Sequence, residues 1–205
     1  MNLTNFLLID FTLIIIGLPF LVIYQGNQKK NSLVKNSYSS ELVNQTPIEL
    51  PTQQKLLELE KIAQKEGSGI DSDSLIGLWK FISVWKQGVE SEDVISSSLL
   101  RVFSASLKIK EDDSNLFAIT NSIQFGILSI QFTGAGNLKG KQPLLPFFFE
   151  SIELKAGSNV LFNKSLEIVE EKKRPFFALI SIEKNGKWLS ARGRGGGLAL
   201  WVKDK

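Results

Sequence analysis

The hydrophobic positions of this chain change period along its length, and each change marks a segment. Residues 3–24, L-T-N-F-L-L-I-D-F-T-L-I-I-I-G-L-P-F-L-V-I-Y, are apolar without any period, and Asp10 is the only charge among them. As a helix, a run of this length crosses the ~30 Å hydrocarbon core of a bilayer. An Asp at mid-bilayer costs about 2.5 to 3.5 kcal/mol, less toward an interface, and the surrounding Leu, Ile, Phe and Val residues offset it. The pattern predicts a single membrane helix within residues 1–25. It fits a cleaved signal peptide less well, because no Lys or Arg precedes the run and no clear small-residue cleavage site follows. Lys29, Lys30 and Lys35 lie only on its C-terminal side, which places the rest of the chain in the cytoplasm by the positive-inside rule.

Residues 26–50 are rich in Asn, Gln and Ser without a steady period, and read as a flexible tether. A helix is then predicted over residues 51–68: Pro51 and Thr52 open it, Leu56, Leu59, Ile62 and Ala63 share one face, and Gly67 stops it. So narrow a stripe packs on a domain. From residue 75 the period becomes two. In L-W-K-F-I-S-V-W-K, Trp79, Phe81, Ser83 and Trp85 fall on one face, and Leu78, Lys80, Ile82, Val84 and Lys86 on the other. The alternation continues through L-L-R-V-F-S-A-S-L-K-I-K, a turn at residues 111–115, and further apolar runs to the end of the chain. Eight or nine strands joined by short polar turns predict a mainly β domain over residues 74–203, an antiparallel barrel or sandwich, with closure favoured because it leaves no edges.

Two segments make sharper claims. Asn185-Gly186 predicts a two-residue type I′ turn, which pairs Ile182 with Leu189, Ile180 with Ala191 and Ala178 with Gly193. The stretch L-L-P-F-F-F at residues 144–149 puts at least one phenylalanine ring opposite its neighbours. It reads as a strand buried on both sides, under the 51–68 helix, or as an apolar patch in which Phe147 and Phe149 dip into a membrane or lip a ligand portal.

Composition narrows the chemistry. The 205 residues are 43% hydrophobic and 22% charged, which is ordinary for a folded domain. A net charge of +3 with scattered Lys and Arg gives no nucleic-acid footprint. There is neither cysteine nor histidine, which removes thiolate and Ser-His-Asp chemistry and most transition-metal sites. No catalytic residue, metal ligand or cofactor is therefore assigned, and the protein is not expected to be an enzyme. The Arg192-Gly-Arg194-Gly-Gly-Gly segment lacks the lysine-serine of a phosphate loop and reads as a strand bend.

Gly77-Leu78-Trp79 opens the first strand, and Arg192 lies near the last ones. This arrangement is similar to the lipocalin and wider calycin pattern, in which a G-x-W tryptophan plugs one end of the barrel and an arginine lies across its indole. By that likeness Gly77, Trp79 and Arg192 form a structural clamp. With Arg192-Gly193-x-x-Gly196-x-Leu198 after the hairpin, residues 74–203 resemble the plastid lipid-associated protein, or fibrillin, family of chloroplasts and cyanobacteria. The chain departs from that family in having Arg194 where an acidic residue is usual, and Ala199 directly after Leu198. The resemblance implies a non-enzymatic lipocalin-like barrel that binds or organises isoprenoids, carotenoids or other membrane lipids, on the thylakoid or plasma membrane of a cyanobacterium. Trp79, Phe81, Trp85, Phe103, Phe125, Phe132 and Phe148 could line an apolar cavity for such a ligand, or pack as plain core. The alternative is an adaptor or assembly factor for a membrane protein complex, with a filled barrel.

Overall fold

A computed structural model of the chain describes residues 49–87, 92–112, 116–141 and 143–204. The membrane helix expected within residues 1–25 and nearly all of the tether lie outside the described residues. Among those described, no helix is long and apolar enough to cross a membrane.

Helix α1 (Gln53–Glu66) starts where Thr52 accepts the Lys55 amide proton and stops at Gly67, whose N–H donates to the Ala63 carbonyl. A one-turn helix, α2 (Ser72–Leu75), leads into strand β1 (Gly77–Trp85). Helix α3 (Val94–Val102) follows, and then β2 (Ser106–Glu111), β3 (Phe117–Phe125), β4 (Leu128–Gly136), β5 (Leu144–Ala156), β6 (Asn159–Ser165), β7 (Phe176–Ile182), β8 (Trp188–Gly193) and β9 (Leu198–Lys203). All nine strands form one antiparallel sheet in the order β4-β3-β2-β1-β9-β8-β7-β5-β6. Because β4 also pairs with β5, the sheet closes into a barrel-like ring, with β6 hung on the outside of β5. Strand β5 can do this because it is 13 residues long. One edge serves β4, while the other serves β7 over residues 144–146 and β6 over residues 151–156.

Neighbouring strands alternate in direction, so the ring has two distinct ends. The start of β1, the end of β9 and the β7–β8 hairpin share one end. The β3–β4 and β5–β6 hairpin tips lie at the other.

Three local features differ from the alternation read in the sequence. Residues 99–102 are the last turn of α3 rather than a strand, because Asp93 caps this helix by accepting from the Ser96 amide at 3.1 Å. The β7–β8 hairpin keeps the Ile182–Leu189 pair, but Gly186 alone has positive φ and its N–H donates to the Glu183 carbonyl at 2.6 Å. The Glu183 carboxylate also accepts from the Asn185 and Lys187 amides, so a wider loop with glycine in the left-handed position replaces the type I′ turn. Finally, the registers slip between Phe81 and Ser83 and between Leu179 and Ser181. Such a one-residue bulge reverses every side chain beyond it. Ala191 therefore faces Leu179 instead of Ile180, and Gly193 faces Phe177 instead of Ala178.

The ring has apolar packing on both sides of its wall. Trp79, Phe81, Leu107, Ile119, Phe147, Phe177, Leu189 and Trp201 belong to the interior cluster. A second cluster, built on Leu56, Trp85, Ile180, Trp188, Leu198 and Leu200, lies between α1 and the outer faces of β1, β7, β8 and β9. Leu56 and Ala63 are buried there as the helical period requires, but Ile62 is 49% exposed at the margin of the stripe.

Candidate functional site

The ring interior is the place where an apolar ligand would lie, and aromatic side chains occupy it. Phe81 meets Trp201 edge-on at 6.3 Å between ring centroids, Trp201 meets Phe177 at 5.5 Å, and Phe177 stacks on Phe147 at 5.1 Å. Phe147 then contacts Phe149 at 5.6 Å, and Phe149 contacts Phe132 at 5.4 Å. These separations are those of packed aromatic pairs, and together they make a continuous chain of rings along the interior. Glycines in β4 make room for it: a Cβ on Gly134 would overlap the Phe148 carbonyl oxygen, and one on Gly136 would sit 2.6 Å from Ile119 Cδ1. Among the described residues, no buried side-chain polar atom lacks a partner.

The residues expected to line a cavity divide between several places. Trp79, Phe81 and Phe132 are buried, the first two within the interior cluster. Trp85 is not interior; the bulge at Ile82 turns it outward beneath α1. Phe148 points away from Phe147 and Phe149 by strand alternation, and the Arg174 guanidinium lies 4.5 Å above its ring. Phe125 is 60% exposed at a hairpin tip and touches Phe103, which is half-buried. The patch assigned to Phe147 and Phe149 is likewise inverted. Phe147 is 1% exposed and Phe149 packs on the interior cluster, so neither faces a bilayer. The cluster beneath α1 includes Ile180 of β7, the strand that pairs with residues 144–146, but no residue of 144–149, so α1 is not the cover expected over that run.

One end of the interior is plugged by Trp79, whose indole N–H donates to the Leu75 carbonyl at 2.8 Å. The cation over its ring is Lys203, with Nζ 5.1 Å from the centroid, and not Arg192. Leu189 and Ala191 point inward from β8, so Arg192 must point outward, away from Trp79. There it donates Nε and Nη2 to the two carboxylate oxygens of Glu60 on α1, and Nη1 to the Gly196 carbonyl. It pins α1 to the sheet and closes the glycine turn. Gly77 belongs to the plug as expected, because a Cβ there would lie 2.5 Å from Lys203 Cε. Lys203 was legible in the alternation L-A-L-W-V-K, which sets it on the same face as Trp201. Glu60, one turn beyond Leu56, lies on the packed face of α1 by the same reasoning. Arg194 donates to the Arg174 and Lys172 carbonyls, which fastens the β8–β9 turn to the segment before β7.

A polar seat holds α3 against the bulged part of β1. Arg101 donates to the Ile82 carbonyl at 2.6 Å and to Glu92, while the Val84 amide donates to the Ser97 hydroxyl. Burial alone would raise the Glu92 carboxyl, but hydrogen bonds from Ser97, Arg101 and Ser83 hold it below the usual carboxylate range. For Asp93 burial acts the same way and is outweighed by Lys86 and Ser96. Outside the ring, a concavity of about 560 Å³ lies between the start of α1 and the β7–β8 hairpin, bordered by Leu50, Lys55, Lys187 and Trp188. No group of three or more potential metal ligands occurs among the described residues.

Comparison of the chain with protein-family models finds no match, and comparison with curated proteins finds none either.

Proposed function

We propose that this protein is a membrane-associated, lipocalin-like barrel without catalytic activity, which works through its outer surface as an adaptor or assembly factor for a membrane complex. One observation carries this choice over a lipid or carotenoid carrier. The chain of ring contacts from Phe81 through Trp201, Phe177, Phe147 and Phe149 to Phe132 runs along the interior where a bound isoprenoid or acyl chain would lie, and this supports a packed core over an open cavity. The apolar run at residues 3–24 supports a membrane location, with the described domain on the cytoplasmic face.

Extraction of the full-length protein from its native membranes in mild detergent, with mass spectrometry of the lipids, pigments and proteins that accompany it, tests the reading. A copurifying membrane complex without a stoichiometric lipid or pigment is expected. One isoprenoid, carotenoid or acyl lipid per protein chain would restore the carrier.

A further inference from the structure

The ring is uneven in height. Strand β1 pairs with β2 only over residues 77–80, whereas β3, β4, β5 and β6 pair with one another well beyond that level. They form a four-stranded wing at the end opposite Trp79. Its register sorts the side chains into two faces. The rows Ile123–Ile130–Leu154–Phe162 and Phe125–Leu128–Ala156 lie on the face continuous with the ring interior. The other face carries Ser122–Gln131–Glu153–Asn163 and Gln124–Ser129–Lys155.

Next to these rows, Asn121–Phe132–Ile152–Lys164 brings polar residues to the interior-side face away from the tips, and at the tips the outer face in turn becomes apolar. The Gly157 N–H donates to the Ile127 carbonyl at 2.6 Å, which holds the β3–β4 and β5–β6 hairpins side by side. Phe125, Ile127, Leu128, Val160, Leu161 and Phe162 are all exposed there, Ile127 at 74%. They are apolar on both sides of the wing, since Val160 pairs with Lys155 on one face and Phe162 with Leu154 on the other. Behind them the outer face turns polar within about two residues, or ~7 Å at the rise of a strand. That depth matches the 5–10 Å to which interfacial elements bury their apolar side. Lys155 stands at the polar boundary, paired with Glu153 at 2.7 Å and donating to Gln131 at 3.1 Å, so this side of the wing is polar and internally satisfied there.

The chain outside the structure makes a bilayer available to this end. Residues 25–48 join the apolar run at 3–24 to Glu49, and they span at most about 80 Å. The first described residues border the β7–β8 hairpin, at the far end of the ring from the tips. Strand β5, at 13 residues, is ~43 Å long, and β7 runs four residues, or ~13 Å, past its start, so an extended connection of about 80 Å still reaches from the hairpin end to the tips.

From this geometry we infer a second membrane contact: the paired β3–β4 and β5–β6 hairpin tips insert shallowly into the bilayer that holds the 3–24 run, so the ring stands on the membrane tips first. The inference rests on the membrane-associated reading above. The absence of cysteine allows a direct test. Full-length protein carrying Ile127→Cys, labelled with a polarity-sensitive fluorophore, is reconstituted into phosphatidylcholine–phosphatidylglycerol vesicles at low protein-to-lipid ratio. Lys184→Cys, on the β7–β8 hairpin, is the reference. A blue-shifted label at residue 127, quenched by lipid-borne spin labels and shielded about tenfold from aqueous iodide relative to residue 184, is expected. Retention of the protein in vesicles with both labels equally open to iodide would overturn the tip contact while sparing the anchor. Release of the protein from vesicles by alkaline washing would overturn both. Shielding that grows with protein-to-lipid ratio would assign the tips to a second copy of the chain instead.

Discussion

At the scale of single residues, two basic side chains exchange the roles that a linear reading gives them. The short G-x-W match says that a cation should lie over Trp79, and one does, but strand alternation decides which. Arg192 leaves β8 on the outer side with Trp188 and Ser190, whereas Lys203 leaves β9 on the inner side with Trp201. Replacing Lys203 with Met keeps most of the stem and removes the charge. It should lower stability by about 0.5 to 1 kcal/mol, read by urea unfolding. Gly77→Ala should cost more, since it forces the Lys203 stem aside and strains a backbone with φ of +147°. On the outer side, Arg192 and Glu60 are both largely buried and doubly bonded, and a double-mutant cycle with Arg192→Ala and Glu60→Ala should give a coupling of about 1 to 3 kcal/mol. No coupling would mean that α1 is held by its apolar face, Leu56, Leu59 and Ala63, without help from the ion pair. The alternation in W-L-S-A-R already sets Arg192 on the face of Trp188 and Ser190, opposite Leu189 and Ala191, and that placement outweighs the three-residue motif.

At the scale of elements, period-two patterning located β1 and the run of strands after it, and it failed where the backbone carries an extra residue. Nothing in F-I-S-V-W or A-L-I-S-I marks Ile82 or Ile180 as a bulge, because every residue there suits either face. The bulges are set by partners distant in sequence, Arg101 on the Ile82 carbonyl and α1 over Ile180. Helix α3 departs from the alternation for a related reason: V-I-S-S-S has only modest helical preference, L-L-R-V-F suits a strand as well, and the seat that fixes the helix is a tertiary network. That seat predicts an acid-sensitive step. Glu92 and Asp93 have depressed folded-state pKa values, so their contribution is complete above the ordinary carboxylate range of about 4 and is lost as pH falls through the lower folded-state values. Hydrogen exchange across pH 6 to 3 should show α3 amides losing protection before those of β8 and β9, and Glu92→Gln should weaken that pH dependence. Uniform loss of protection would contradict this. The F-F-F run shows the same division between local and tertiary control. Alternation separates Phe148 from its neighbours correctly, but which side is interior depends on Gly134 and Gly136 across the strand pair. Gly134→Ala should destabilise the protein by about 1 to 3 kcal/mol, because the strands must move apart.

At the scale of the whole molecule, strand number and antiparallel order were readable, and ring closure was the economical expectation. Closure rests on one short seam, three residue pairs between β5 and β7, beside the long pairings of β5 with β4 and β6. Whether the closed interior holds a ligand was not readable, because aromatic residues at strand spacing serve a cavity wall and a solid core equally well. The contacts among Phe81, Trp201, Phe177, Phe147, Phe149 and Phe132 favour the solid core, and they move the proposed function to the surface of the ring. The most direct measurement of that claim is an equilibrium titration of the full-length protein in mild detergent with a carotenoid or a long-chain polyene fatty acid, followed by energy transfer from Trp79 and Trp201. A filled interior predicts no saturable transfer at any ligand concentration below that at which the detergent alone takes it up. Saturation at one ligand per chain would contradict it.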